Sequence, residues 1–104
     1  MQTQNAITQG ITRPPISFSF GIVVATPAAL EAISEAGQEP VEFLSRHARL
    51  EQGELSSDDH QENLYSVDKD LRLLTAYKTT LGVKVWIITE ADRSATTILL
   101  PSEY

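Results

Sequence analysis

The chain has 104 residues, 21% of them charged, and a formal net charge of −6. That length supports one domain with a single core, and the acidic balance argues against non-specific binding to a phosphate backbone. The absence of cysteine excludes disulfides, thiolate catalysis and cysteine-held metal.

The charge is unevenly spread. Residues 31–70 hold eleven acids and three bases, whereas residues 71–104 hold three acids and four bases. The first of these regions would repel nucleic acid and reads as a solvated helical surface. No apolar run reaches the ~18–20 residues of a membrane span. The opening Met1-Gln-Thr-Gln-Asn lacks the basic start and apolar core of a signal peptide. The expectation is a cytoplasmic protein that makes no membrane contact.

Taken in order, residues 1–15 read as a flexible polar tail ending in Pro14-Pro15, followed by one domain over residues 16–104. Ile16-Ser-Phe18-Ser-Phe20 alternates as a half-buried strand does. Gly21 reads as a bulge, and Ile22-Val-Val-Ala25 as the continuation of the strand. Thr26-Pro27 is a helix start, the hydroxyl capping and the proline occupying the first helical position. The helix predicted over residues 28–36 turns Leu30 and Ile33 inward and stops at Gly37. Pro40 opens a second helix with a stripe of Val41, Leu44 and Ala48, widened by Phe43, His47 and Leu50, and closed by Gly53. Ser56-Ser-Asp-Asp59 resembles a capping box and opens a third helix to about residue 67, with Leu64 and Val67 inward.

Three β-rich runs follow, at residues 71–79, 83–89 and 95–100, joined by short turns at Leu81-Gly82 and Ala91-Asp92-Arg93-Ser94. Such spacing predicts an antiparallel meander, with Pro101 ending the last strand. Its middle strand is apolar on both faces, with Val83, Val85 and Ile87 on one and Trp86 and Ile88 on the other. Helices should cover one face, and the N-terminal segment or a second copy of the chain the other. The fold class is α+β in the order β-α-α-α-β-β-β, with the first strand at a sheet edge or in the centre.

Three constellations carry candidate chemistry. The polar turn gathers Thr89, Glu90, Asp92, Arg93, Ser94 and Thr96. Its guanidinium could hold a carboxylate or phosphate, although Asp and Ser are also good turn formers in their own right. His47 and His60 with Asp58 and Asp59 are metal-capable side chains at no recognised ligand spacing, so neither a metal nor a cofactor is expected. Tyr77, Arg72, Lys78 and Lys84 could meet RNA on a sheet surface, or simply discourage edge-to-edge aggregation. Phosphate-loop, dinucleotide-glycine and Gly-x-Ser-x-Gly motifs are absent.

The runs Leu74-Thr-Ala-Tyr77 and Lys84-Val-Trp86-Ile-Ile-Thr89-Glu-Ala-Asp-Arg-Ser94-Ala-Thr-Thr97-Ile-Leu-Leu-Pro101-Ser-Glu-Tyr104 resemble a family of small uncharacterised bacterial proteins labelled plasmid-related. Val24-Ala-Thr-Pro-Ala-Ala-Leu30 and Gly53-Glu-Leu55 are similar to the same family. The resemblance spans roughly residues 20–104. It implies association with plasmids or other mobile elements and assigns no functional residue. Some members are labelled as type I restriction–modification methylation subunits. This chain is too short for the cofactor domain of such an enzyme, and Asn63-Leu-Tyr65 is not its Asn-Pro-Pro-Tyr motif.

The element order is also similar to that of RelE-like ribonuclease toxins, which are usually basic. The leading expectation is a non-enzymatic protein-binding or regulatory module with an unidentified protein partner, and a homodimer is compatible with it. The alternative is a metal-independent ribonuclease in which Tyr77 or Glu90 moves the proton and Arg93 stabilises phosphorane-like charge.

Overall fold

Thr26-Pro27, Pro40 and Ser56 each begin a helix, and the three β-rich runs each form a strand. The computed structural model describes residues 17–104; the expected tail and Ile16 lie outside the described residues. The elements are β1 (Ile22–Ala25), α1 (Pro27–Glu35), α2 (Pro40–Ala48), α3 (Ser57–Asp68), β2 (Leu73–Lys78), β3 (Lys84–Thr89), β4 (Ala95–Leu99) and a 3-10 turn (Pro101–Glu103). Among the described residues no helix is long and apolar enough to cross a membrane.

The meander forms as antiparallel pairs, with Thr75 opposite Ile87 and Ile87 opposite Ile98. The whole sheet is mixed, because β1 joins β4 in parallel at the edge and gives the order β1-β4-β3-β2. A parallel pair needs a long crossover, and residues 26–94 supply it. The expected strand over residues 16–25 is shorter than its alternation suggested. Gly21 has φ +65°, and a Cβ there would lie 2.3 Å from the Ser94 carbonyl carbon. Only glycine permits both the left-handed turn and that approach, so Gly21 is an entry turn and the strand starts after it. Phe18 and Phe20 leave the ladder and pack on the His47 ring, at centroid distances of 5.5 and 5.7 Å.

The Thr26 hydroxyl caps α1, accepting from Ala29 N–H at 3.1 Å. Helix α2 stops at Ala48, well before Gly53. Leu50 takes φ +50° and is buried. Gly53 instead passes tight against Tyr77, where a Cβ would lie 2.4 Å from the ring. In α3 the inward residues are Asn63 and Ser66, while Leu64 and Val67 are half-buried.

Ala29, Ile33 and Phe43 pack on Tyr77, Val85, Ile87 and Ile98 to form the core. Val41 and Leu30 are exposed, so the inward side of α2 is Phe43 and His47, with Leu44 partly buried against the core. Val83 is exposed in the turn before β3. On the opposite sheet face, Trp86 meets Tyr104 edge-on at 5.5 Å, and Arg72 lies over the Tyr104 ring. The C-terminal turn therefore covers part of this face, while the N-terminal segment expected there lies outside the described residues. Glu103 fixes that turn by accepting from Leu100 N–H at 2.8 Å and from the Thr26 hydroxyl at 2.7 Å.

The two sheet edges differ. Along β2, the Asn63 side chain donates to Leu74 O at 2.6 Å and accepts from Leu74 N–H at 3.1 Å. Glu54 N–H then takes Ala76 O at 2.7 Å, so three of the outward peptide groups of this edge are occupied. Along β1, no described residue pairs on the outer side. Replacing Asn63 removes two hydrogen bonds at the sealed edge. Asn63→Ala is expected to lower stability by about 2 kcal/mol in urea denaturation, and an unchanged midpoint would contradict the sealing role.

Candidate functional site

The end of the sheet beside the 90–95 turn holds a buried polar chain that runs through His47. Helix α2 presents the imidazole to the sheet, where Thr75, Thr89 and Thr96 occupy inward positions on three adjacent strands. All four residues are buried. Their hydrogens can be assigned by counting donors. Phe20 O can only accept, so the Thr96 hydroxyl donates to it at 2.8 Å. With its one hydrogen used, Thr96 accepts from the Thr89 hydroxyl at 2.8 Å. Thr89 must in turn accept from His47 Nε2–H at 2.8 Å. Burial pushes the His47 pKa down to about 4, so the ring is neutral at pH 7. Nδ1 is then bare and accepts from the Thr75 hydroxyl at 2.7 Å.

Both ring nitrogens are committed and shielded, which leaves His47 neither a free base nor a ligand. His60 is elsewhere employed, its Nε2 bonded to Leu50 O at 3.0 Å. The two histidines share no partner. Among the described residues no group of three His, Asp or Glu could hold a metal ion.

The expected polar cluster divides by location. Thr89 and Thr96 belong to the buried chain. Asp92 accepts from Ser94 N–H at 2.9 Å, and the hydrogen bonds from Ser94 hold its carboxyl below the usual range. Arg93 takes φ +60°. Its Nη1 donates to Leu71 O at 2.8 Å, Glu90 O at 3.1 Å and Ala91 O at 3.3 Å. The guanidinium also lies 5.7 Å from the Phe18 ring centroid. Asp92 and Arg93 thus build the turn and tie it to the segment before β2. Glu90 and Ser94 are exposed.

The residues named for a ribonuclease do not converge. Tyr77 is wholly buried and donates to Glu51 O at 3.0 Å, with the Arg46 guanidinium 4.2 Å from its ring centroid. Burial pushes its pKa up to about 12, which removes it from acid–base work near neutral pH. Lys84 lies on the opposite sheet face from Tyr77, since Tyr77 is opposite Val85 and side chains alternate along β3. Lys78 sits 3.6 Å from Glu54, and Arg72 hydrogen-bonds the Tyr104 hydroxyl.

A cavity of about 250 Å³ lies between α3 and β2, lined by Leu55, Asp59, Glu62, Asn63, Ser66, Arg72 and Leu74. Asn63 is committed to the β2 edge, and Arg72 hydrogen-bonds the Tyr104 hydroxyl through one of its nitrogens. The partners of His47 that the sequence did not reveal are Thr75, Phe18 and Phe20. A signal existed for Thr75, which shares the strand parity of Leu73 and Tyr77. No family model matches the chain, and no curated protein or solved structure is similar to it at a significant level.

The neutral imidazole links stability to pH. Unfolded His47 takes up a proton near the ordinary 6.5, whereas folded His47 does so only at about 4. The unfolded state binds more protons between these values, so stability is full above pH 6.5 and falls as pH drops toward 4. The expected loss is about 3 kcal/mol, measured by urea denaturation across this window. His47→Leu should flatten that slope, and a wild-type profile level from pH 6.5 to 4 would contradict the assignment.

Proposed function

We propose that the chain is a non-enzymatic protein-binding or regulatory module whose contact surface is the β1 edge. One observation carries the reading. The outer side of β1 has no partner among the described residues, and Ile22, Val23 and Val24 are 71%, 44% and 48% exposed. Extended partners bind such edges by adding a strand, with main-chain hydrogen bonds giving affinity and alternate side chains giving specificity. The polar turn beside it serves as a buttress, because Gly21 rests on Ser94 and Ile22 N–H donates to Ser94 O at 3.0 Å.

An association with bacterial plasmids or other mobile elements belongs to this proposal through the sequence resemblance, and a place in the cytoplasm through the absence of cysteine, which fits a reducing compartment. The ribonuclease alternative loses support from the burial of Tyr77 and the internal use of Arg93. Expression in a bacterial host is expected to leave growth unchanged, and purified protein should leave total RNA intact in the presence of a chelator. Growth arrest or RNA cleavage that Arg93→Ala abolishes, with the fold retained, would overturn the non-enzymatic reading.

A further inference from the structure

The β1 strand has a defined polarity of hydrogen bonding. Ile22 N–H and Thr26 N–H both donate to β4, to Ser94 O and Ile98 O, each at 3.0 Å. By the two-residue period of a strand, the peptide groups of Val23 and Ala25 point away from the sheet. The strand carries no charged side chain in a chain of net charge −6, so two like-charged molecules can approach there with little repulsion. At the other edge Asn63 and Glu54 occupy the Leu74 peptide groups and Ala76 O. Among the described residues β1 is thus the more open edge, and edge-to-edge pairing of two copies is favoured between β1 and β1.

We propose that the partner seated on β1 is a second copy of this chain, paired antiparallel about a twofold axis at Val24. This inference rests on the reading of β1 as the contact edge. Twofold symmetry requires the antiparallel direction and gives a closed dimer instead of a filament. The outward peptide groups set the register: Val23 faces the copy's Ala25, Ala25 faces the copy's Val23, and Val24 meets Val24. Val24 forms a non-hydrogen-bonded pair, in which Cα atoms approach to about 4.5 Å. The result is one sheet of eight strands, with Ile22 and Val24 of both copies on one face. Four residues per strand cover less than the ~800 Å² per partner of a standard interface. The dimer is therefore concentration-dependent, with a dissociation constant on the order of 10 μM or weaker.

The absence of native cysteine makes the test clean. Full-length Val24→Cys, oxidised at high protein concentration, is expected to form a disulfide dimer, because the Cα separation fits a disulfide. Val23→Cys is the register control, since two Val23 positions are offset diagonally and should cross-link much less. Wild type should pass from monomer to dimer on sedimentation across about 1 μM to 1 mM, and Val24→Lys should stay monomeric with an unchanged circular dichroism spectrum. Equal cross-linking of the two cysteine variants, or a dimer indifferent to Val24→Lys, would overturn the proposal. A wild type that stays monomeric would overturn it as well, and hydrogen exchange at Val23 and Ala25 then separates the two claims. Fast exchange leaves the edge open for a different protein, whereas slow exchange means that residues 1–16 fill it and the contact-edge reading falls too.

Discussion

The His47–threonine chain is the interaction on which the rest of the structure depends. One imidazole joins α2 to β2 and β3, and the two hydroxyls beyond it reach β4 and the Phe20 carbonyl. It therefore spans the crossover that makes β1 parallel to β4. Each link is a buried polar group that costs about 1–3 kcal/mol when left unpaired, against a total stability of ~5–15 kcal/mol for a domain of this kind. The chain has one consistent assignment of hydrogens, because it ends on a carbonyl that can only accept. A fully satisfied network of that sort specifies one arrangement of helix against sheet where purely apolar packing would tolerate several.

Two backbone constraints complete the frame. Gly21 lets the chain pass over Ser94 and enter the sheet, and Arg93 holds the turn from the other side through three carbonyls. The 90–95 turn is thereby a structural joint between the entry segment, the segment before β2 and the final hairpin. The same economy appears at Thr26, whose hydroxyl caps α1 with its lone pair and holds Glu103 with its hydrogen. Most side chains that looked reactive in isolation hold the fold, although Glu90 is exposed and Arg93 Nη2 has no hydrogen-bond partner among the described residues. Among the described residues, the outward-facing surface includes acidic helix faces and the apolar, uncharged edge of β1.

Much of the fold was legible in the sequence where local chemistry decides it. Thr26-Pro27, Pro40 and Ser56 begin the three helices, and the turns at Leu81-Gly82 and residues 91–94 define the meander. The failures arose where tertiary contact overrides pattern. Ile16-Ser-Phe18-Ser-Phe20 alternates like a strand, yet Phe18 and Phe20 pack on His47, a residue remote in sequence. Asn63 lies inward because a β2 edge some ten residues later needs its amide, and no helical periodicity announces that. The candidate site was half legible: Thr89 and Thr96 were noticed as polar residues, but their role follows from sharing a buried face with a histidine on another element. The parallel placement of β1 has no local signature either.

The ordering of α2 against the sheet depends on the imidazole being neutral with its proton on Nε2. Nitrogen NMR of histidine-labelled protein at pH 7 reads this directly through the shifts and proton couplings of the two ring nitrogens of His47. The expected result is a protonated Nε2 and a bare Nδ1, unchanged on lowering the pH to 6. A protonated Nδ1, or a ring that titrates near the ordinary 6.5 in the folded protein, would contradict the donor chain and the ordering of α2 against the sheet that rests on it.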